Sequence, residues 1–335
     1  MTADPARTAF VTGGTGFVGS HVVEELLGRG YAVRALVRSD PKWLDGLPVQ
    51  TVRGDLSDAE ALRVGVRGAD AVVHVAGLTR ARDQETLDRA NVDGMLALLR
   101  AVREEAPDVG RVLVTSSLEA MGPNRVTPHG APVPATEADA PRPISMYGRS
   151  KARMEEAVRR EFPDLPVTIV RPPAVYGPRE ADIFEMIRGA SRGLFPVVGD
   201  GRAPRLSLVH ARDLARGMVD LLEAPAAAGE TYFVGSDRGY SWDEVRAAVE
   251  AALGRRTLRI PVPGALIGLA GTLAEKGGAL FETLPPLTRD KAEAARYAWT
   301  CSVEKARRDA GYRQEVGLAE GMAETVRWYR GAGWL

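Results

Sequence analysis

The sequence of 335 residues contains one cysteine and four histidines, and its charges balance. The single cysteine, Cys301, excludes an intrachain disulfide and is typical of a protein kept in the reducing cytoplasm. Basic and acidic residues number 44 each, so no excess charge indicates binding to nucleic acid or to an anionic membrane. No second histidine or cysteine lies at the spacing of metal ligands, and we expect no metal.

Long hydrophobic runs are also missing. The longest apolar stretch, residues 264–273, is too short to cross a bilayer, and residues 1–8 lack the apolar core of a secretory signal. We therefore expect a cytoplasmic protein with no membrane contact. The apolar fraction of 45% and the charged fraction of 26% are those of an ordinary globular protein, and the length allows one large α/β unit with a smaller lobe.

Short apolar segments alternate with amphipathic ones through the first half of the chain. Apolar runs predict strands at residues 9–11, 33–37, 51–55, 71–75, 111–115 and 167–170. Apolar residues at helical spacing predict helices at residues 17–27, 85–102 and 147–160. This alternation predicts an α/β fold with a doubly wound parallel sheet, with His74 as a core residue of its fourth strand.

A glycine-rich turn joins the first predicted strand to the first predicted helix. Gly13, Gly16 and Gly19 lie at this junction, and Gly14 completes a G-x-G-x-x-G pattern. Glycine allows positive φ and close approach of the backbone to a pyrophosphate. The following helix offers unpaired N–H groups and the positive end of its dipole. Because the motif stands between a strand and a helix, it predicts a dinucleotide site.

The second predicted strand bears on the choice between the two nicotinamide dinucleotides. An acidic residue at its end typically binds the adenosine ribose, whereas an arginine there suits a 2′-phosphate. Here Arg34 and Arg38 occupy the strand and its end, and their spacing puts both on one face. We therefore expect NADP(H), with NAD(H) as the alternative. Asp55, at the end of the third strand, either contacts the adenine or caps a turn.

Tyr147 and Lys151 are four residues apart on a predicted helix and share one of its faces. A free phenol titrates near ~10, too high for acid–base work at neutral pH, and a neighbouring ammonium group lowers that pKa. We expect Tyr147 to give a proton to a carbonyl oxygen as hydride reaches the carbon, and to take it back in reverse. A hydroxyl from the strand-ending Thr115, Ser116 or Ser117 can hydrogen-bond the same oxygen.

Together these motifs resemble those of the extended short-chain dehydrogenase/reductase superfamily. That superfamily contains nucleotide-sugar epimerases and dehydratases, dihydroflavonol-type reductases and 3β-hydroxysteroid-type dehydrogenases. The resemblance runs through most of the chain and is carried by residues 12–19, 54–56, 74–77, 91–94, 115–117, 147–151, 171–178 and 208–213. It implies a Rossmann fold and a bound nicotinamide dinucleotide.

The resemblance also implies roles for individual residues. Tyr147 would exchange the proton, Lys151 would bind the nicotinamide ribose, and Ser117 would bind the substrate oxygen, with Ser116 as the fallback. Asn91 would support the site from its helix. The residues expected to bind the cofactor are Gly13, Thr15, Gly16, Phe17, Val18, Gly19, Arg34, Arg38, Asp55, Leu56, Val75, Ala76, Gly77, Thr115, Tyr147, Lys151, Pro172 and Val175.

Past residue 171 the regular alternation loosens, although helices are predicted at residues 183–191 and 241–253 and a strand at 205–209. We expect residues 1–172 plus 206–236 to form the dinucleotide-binding Rossmann domain. Residues 173–205 plus 237–335 are expected to form a smaller C-terminal lobe that binds substrate. The proline-rich stretch 122–143 is long for a loop, and we expect it to border a pocket.

The leading functional hypothesis is an NADP(H)-dependent oxidoreductase that acts on a small carbonyl or alcohol substrate. The alternatives are a nucleotide-sugar epimerase or dehydratase with tightly bound NAD(P), and a non-catalytic dinucleotide-sensing protein. Nucleotide-sugar members usually place an arginine four residues before the histidine matching His210. Here Leu206 holds that position and Arg205 precedes it, which turns the arginine to the other face of a strand. Members of the superfamily are often dimers, so a homodimer is an option.

Overall fold

The computed structural model describes residues 7–128, 131–198, 201–262, 294 and 296–335. In chain order its strands are β1 Thr8–Thr12, β2 Ala32–Val37, β3 Val49–Arg53, β4 Ala71–His74, β5 Arg111–Thr115, β6 Arg125–Val126, β7 Pro132–Val133, β8 Val167–Arg171, β9 Ala174–Tyr176, β10 Leu194–Val198, β11 Leu208–His210, β12 Thr231–Phe233 and β13 Leu258–Val262. The α-helices are α1 Phe17–Gly28, α2 Ala59–Val66, α3 Gln84–Asp88, α4 Gly94–Glu105, α5 Met146–Glu161, α6 Asp182–Ser191, α7 Ala211–Glu223, α8 Trp242–Leu253, α9 Glu304–Ala310 and α10 Leu318–Gly331.

A seven-stranded parallel sheet, in the order β12-β8-β5-β4-β1-β2-β3, organises the fold. From β1 the chain winds through β2 and β3 to one edge, and it then returns through β4, β5, β8 and β12 to the other. The predicted doubly wound α/β fold is therefore confirmed. The reversal of strand order lies between β1 and β4, and a crevice for a ligand is expected there at the carboxyl ends of the strands.

Both faces of the sheet are covered by helices. Phe10 of β1 packs with residues of α2, α4 and α5, whereas its neighbour Val11 packs with residues of α1, α7 and α9. Successive side chains of a strand point to opposite faces, so a strand covered on both sides is apolar at every position. His74 lies in this buried layer, with its Nδ1 2.7 Å from Oγ1 of Thr12.

A separate hydrophobic cluster lies among α6, α8 and α10, and it includes Phe195 of β10. Helix α9 lies in the stretch expected to form the smaller lobe. Its Ala306 and the flanking residues Val303 and Tyr312 nevertheless belong to the hydrophobic cluster on the sheet. Gly217 of α7 makes this contact close, since a Cβ there would lie 2.7 Å from the Tyr312 ring. The division of the chain into two domains stays a prediction.

Three predicted elements differ from those observed: the third strand spans Val49–Arg53 and not residues 51–55, the helix expected at residues 85–102 is divided at Arg89–Asp93, and the strand expected at residues 205–209 is shorter. The strand expected at residues 205–209 begins only at Leu208, because Arg205 and Leu206 form backbone hydrogen bonds with Trp299 and Tyr240 instead. The proline-rich stretch 122–143 carries the antiparallel pair β6 and β7, although residues 129–130 lie outside the described part.

The apolar stretch 264–273 also lies outside the described residues. Among the helices that the structure describes, none combines the length and the apolar character needed to cross a bilayer.

Candidate active site

The glycine-rich turn between β1 and α1 depends on glycine for two close contacts. Gly13 has φ +77°, and a Cβ there would lie 2.5 Å from the backbone nitrogen of Ala76. A Cβ on Gly19 would lie 2.0 Å from the carbonyl oxygen of Gly13. The turn is therefore held tightly between the end of β4 and the first turn of α1.

The N-terminus of α1 is open to an anion. Gly16 is its N-cap, and within the described residues no side chain caps it and no acidic residue occupies its first turn. A Cβ added at Gly16 would meet, among the described atoms, the Gly13 carbonyl oxygen alone, at 3.2 Å. Unpaired N–H groups and the helix dipole point into this space, so the turn fits the phosphates of a dinucleotide. Thr15, Phe17 and Val18, which were expected to bind the cofactor, line the same turn, and Phe17 and Val18 are half-buried.

Arg38 and Asp55 lie together at the carboxyl edge of the sheet, just past β2 and β3. Asp55 accepts hydrogen bonds from the amide and the hydroxyl of Ser57, at 2.8 and 2.6 Å. These bonds, followed by the charge of Arg38, lower the pKa of the Asp55 carboxyl. Asp55 thus caps a turn, one of its two expected roles, and Arg38 is exposed beside it. Leu56 is partly buried against the core beneath them.

The structure corrects the expectation for Arg34. Its guanidinium lies at the C-terminus of α2, where Nη1 donates to the carbonyl oxygens of Gly65 and Arg67 at 2.7 and 3.0 Å. The register explains this, because Arg34 pairs with Phe10 and shares the α2 face of the sheet. Arg34 and Arg38 therefore do not form one basic surface, and Arg34 is engaged as a helix cap.

A single π-helical turn, Arg89–Asp93, interrupts the helix expected at residues 85–102 and turns Asn91 inward. The Asn91 amide donates to the carbonyl of Leu78 and to Oγ of Ser150, both at 2.9 Å, and accepts from the Leu78 amide at 2.8 Å. Asn91 is fully buried and joins the loop after β4 to α5. Isolated π turns are frequent at functional sites.

Ser117 and Tyr147 lie close together at the carboxyl end of β5. Burial of the phenol, followed by the carboxylate of Glu119, raises the pKa of Tyr147 above its ordinary value, while the nearby Ser117 hydroxyl lowers it. The prediction that the pKa of Tyr147 lies below its ordinary value is therefore wrong for this structure. Desolvation of the phenol is the reason, because it disfavours the charged form.

Lys151 follows one turn later on α5 and is 4% exposed. Its Nζ donates to the carbonyl of Thr115 at 2.8 Å. Burial lowers the pKa of Lys151 to about 8, against the opposing effect of the Glu155 carboxylate. A Cβ added at Gly77 would lie 3.5 Å from this Nζ, so the ammonium group faces the loop after β4.

Other residues expected to bind the cofactor follow two strands of the sheet. Val75 and Ala76 follow β4, and Pro172 and Val175 follow β8, with the carbonyl of Pro172 accepting a hydrogen bond from Leu118 at 2.9 Å. The hydroxyl oxygen of Thr115 is buried and has no hydrogen-bond partner among the described residues. An orphaned buried hydroxyl beside the ammonium of Lys151 fits a polar ligand group at this position.

A buried ion pair beneath the site was not anticipated from the sequence. Arg171 Nε donates to Glu155 Oε1 at 2.8 Å, and Ser116 Oγ donates to the same oxygen at 2.6 Å. Ser116 is thereby committed to the ion pair, whereas Ser117 lies beside Tyr147. The sequence feature that could have indicated a role for Glu155 is its position four residues after Lys151, on the same face of the helix.

Glu119 was also not anticipated. It lies two residues after Ser117 and accepts a hydrogen bond from Ser145 at 2.6 Å. As for metal ligation, no group of three or more potential metal ligands is found within the described part of the chain.

Comparison with known proteins agrees with this geometry. The family described as NAD dependent epimerase/dehydratase matches residues 9–235. The ceramide reductase of Caulobacter vibrioides (strain NA1000 / CB15N) is 34% identical, covering 100% of this chain and 98% of that protein. The 4-hydroxy-2-methyl-3-oxo-4-farnesyl-3,4-dihydroquinoline-1-oxide ketoreductase of Stigmatella aurantiaca is 30% identical, covering 93% of this chain and 94% of that protein.

Among solved structures, the UDP-glucose 4-epimerase of Thermus thermophilus in complex with NAD superposes with a TM-score of 0.75 at 26% identity, covering 97% of this chain and 99% of that one. The family match spans more than half of the chain, and the open helix terminus and the placement of Tyr147 and Lys151 on α5 agree with it. The chain therefore belongs to the NAD dependent epimerase/dehydratase family and is an NAD(P)-dependent enzyme of the short-chain dehydrogenase/reductase type.

Proposed function

We propose that the protein is an NADP(H)-dependent oxidoreductase that reduces a ketone or aldehyde, or oxidises the matching alcohol, with Tyr147 as general acid and base. The observation that carries this proposal is the position of Tyr147 on α5, beside Ser117 at the end of β5 and one helical turn before the buried ammonium group of Lys151. The nicotinamide, when bound, supplies or accepts the hydride.

In the reductive direction, Ser117 donates a hydrogen bond to the substrate carbonyl oxygen and Tyr147 gives that oxygen its proton. The phenol is protonated at neutral pH, as proton donation requires, and the raised pKa of Tyr147 leaves this form dominant. Lys151 holds the ribose hydroxyls of the dinucleotide, and its positive charge favours the phenolate once the proton has left. Asn91 keeps the loop after β4 in place against α5.

Arg38 supports NADP(H) over NAD(H). It follows the last residue of β2, where an arginine suits a 2′-phosphate, and no acidic residue precedes it in that strand. The NAD complex of the Thermus thermophilus epimerase keeps NAD(H) as the alternative.

For the substrate, we propose a carbonyl compound that carries a long hydrocarbon chain. Two relatives named as reductases act on such molecules, a ceramide and a farnesylated ring. We propose that the substrate enters between the loop after β4 and α6. Arg80 of that loop and Asp182 of α6 form an ion pair there, at 3.0 Å. A nucleotide sugar is disfavoured because Arg205 already donates to the carbonyl of Gly239 and to Glu244.

The test is NADPH oxidation with a panel of long-chain ketones and aldehydes. Tyr147→Phe should reduce kcat by about 10²–10⁴-fold, because it removes the proton donor. Tyr297→Phe, at an exposed tyrosine, is the matched control and should keep full activity. Unchanged turnover of Tyr147→Phe contradicts the assigned acid. A dinucleotide retained through purification, with no NADPH consumed, favours an epimerase or dehydratase instead.

A further inference from the structure

Glu119 links the two groups that are proposed to bind the substrate oxygen. It lies in the one-turn helix Leu118–Ala120, and its amide donates to Oγ of Ser117 at 3.1 Å. Its carboxylate accepts from Oγ of Ser145 at 2.6 Å. That serine is the N-cap of α5, and its Oγ accepts from the Gly148 amide at 2.9 Å. A continuous chain of hydrogen bonds therefore runs from Ser117 through Glu119 to the helix that carries Tyr147.

The packing around this link is tight. A Cβ on Gly148 would lie 2.4 Å from the carbonyl oxygen of Glu119, so the first turn of α5 rests directly on the Glu119 backbone. Tyr147 stands between Ser145 and Gly148 in the sequence. Any shift of Glu119 therefore changes the separation between the Ser117 and Tyr147 hydroxyls.

The charged groups around Tyr147 come from several elements. Lys151 lies on the same helix, and Glu155, one turn further on, is neutralised by Arg171. Arg149 donates to Gln84 of α3 and to the carbonyl of Ile144, and the π turn contributes the uncharged Asn91. Glu119 adds a negative charge from the turn after β5, and this charge is the largest cause after burial for the raised pKa of Tyr147. A carboxylate near a buried phenol opposes formation of phenolate.

We propose that Glu119 is a positioning residue that holds Ser117 against the first turn of α5 and places a carboxylate near the phenol of Tyr147. This inference rests on the proposed function. Its consequence is a pH profile of alcohol oxidation that lies at higher pH than it would without this carboxylate, since alcohol oxidation needs the phenolate form of Tyr147 as a base.

The experiment compares the pH dependence of kcat/KM for alcohol oxidation in three variants. In Glu119→Gln the amide oxygen still accepts the hydrogen bond from Ser145, so the charge is removed while the geometry is kept. We expect the rise of kcat/KM with pH to move down by about one pH unit. Glu119→Asp keeps the charge on a shorter side chain, so its profile should stay in place while kcat falls. Glu156→Gln, on the exposed face of α5, is the control and should match the parent protein.

A second measurement needs no substrate. The ultraviolet absorbance of tyrosinate in the NADP⁺ complex, taken as the difference between each protein and its Tyr147→Phe counterpart, follows the titration of this one phenol. The inference is overturned if Glu119→Gln titrates as the parent does while Tyr147→Phe still abolishes turnover, and the proposed function then stands. Full turnover in Tyr147→Phe instead overturns the proposed function and this inference with it. Thermal unfolding of each variant verifies that it is folded.

Discussion

At the scale of single residues, availability to a ligand depends on where a side chain lies along its strand. Arg34, in the middle of β2, caps α2, whereas Arg38 follows the last residue of the strand and is exposed. The carboxyl ends of parallel strands are where ligands bind in doubly wound sheets. Of these two arginines, Arg38 is therefore the one that the proposal assigns to the 2′-phosphate of NADP(H).

Replacement of Arg38 tests the cofactor preference. Arg38→Ala should raise the KM for NADPH about tenfold and leave the KM for NADH nearly unchanged, because a charge-assisted hydrogen bond to the 2′-phosphate is lost. Steady-state kinetics with both dinucleotides measures the ratio of the KM for NADH to the KM for NADPH. Arg34→Ala is the matched control: it should lower the melting temperature, since it uncaps α2, and leave the ratio alone. An unchanged ratio in Arg38→Ala contradicts the preference for NADP(H).

At the scale of elements, the site depends on how α1 and α5 meet the sheet. The turn before α1 needs glycine for two different reasons. Gly13 has a positive φ and touches Ala76, which is a requirement of the fold, whereas Gly16 has an ordinary φ of −86° and, among the described atoms, a Cβ added there would meet the Gly13 carbonyl oxygen alone, at 3.2 Å. Glycine at position 13 is needed for folding, whereas we expect glycine at position 16 to be needed for ligand binding.

Alanine at these two glycines should separate the two requirements. Gly16→Ala should weaken NADPH binding at least about tenfold with little change in melting temperature, because its Cβ enters the phosphate space. Gly13→Ala should lower stability by more than about 1–2 kcal/mol, since it combines left-handed backbone with a close contact. Calorimetric titration with NADPH and thermal unfolding without it give the two values. Equal affinity of Gly16→Ala and the parent protein would place the phosphates elsewhere.

The ion pair between Glu155 and Arg171 ties α5 to β8. Glu155→Gln leaves the buried guanidinium without its charge partner and should lower the free energy of unfolding by about 3–5 kcal/mol. Glu85→Gln, the control, breaks the exposed pair with Arg89 and should change the free energy of unfolding by less than about 0.5 kcal/mol. Denaturant unfolding measures both. A small effect of Glu155→Gln would mean that Arg171 is stabilised by other contacts.

At the scale of the whole molecule, buried neutral histidines link folding to pH. Burial lowers the pKa of His74 and of His210 from 6.5 to about 3, and both side chains are almost completely buried. Between these values the unfolded chain binds a proton at each position and the folded protein does not. Their contribution to stability is therefore present above pH 6.5 and is lost as the pH falls toward 3.

The stability of the protein should accordingly decrease below neutral pH, by about 1.4 kcal/mol per pH unit for each of these histidines. His74→Asn should reduce the slope by one such contribution, whatever its effect at neutral pH. Denaturant unfolding at a series of pH values provides the slope. The same slope in both proteins would mean that His74 is protonated in the folded state.

Most of the predicted strands and helices agree with the observed ones to within one residue at each end. The strand β5 spans Arg111–Thr115 as predicted, and α5 begins and ends within one residue of its predicted bounds. Burial on both faces makes these strands apolar throughout, and that pattern is visible in one dimension. The π turn around Asn91 was not predicted, because it arises from contacts with Leu78 and Ser150 that are distant in the sequence.

The sequence by itself determined the doubly wound sheet, the glycine turn before α1 and the pairing of Tyr147 with Lys151, because all of these follow from local spacing. Only the tertiary structure decided that Ser116 hydrogen-bonds to Glu155, since this contact depends on bringing Glu155 of α5 and Arg171 of β8 together beneath the site. It also decided the acidity of Tyr147. Burial and the position of Glu119 dominate that property, and both exist only once the turn after β5 packs against the first turn of α5.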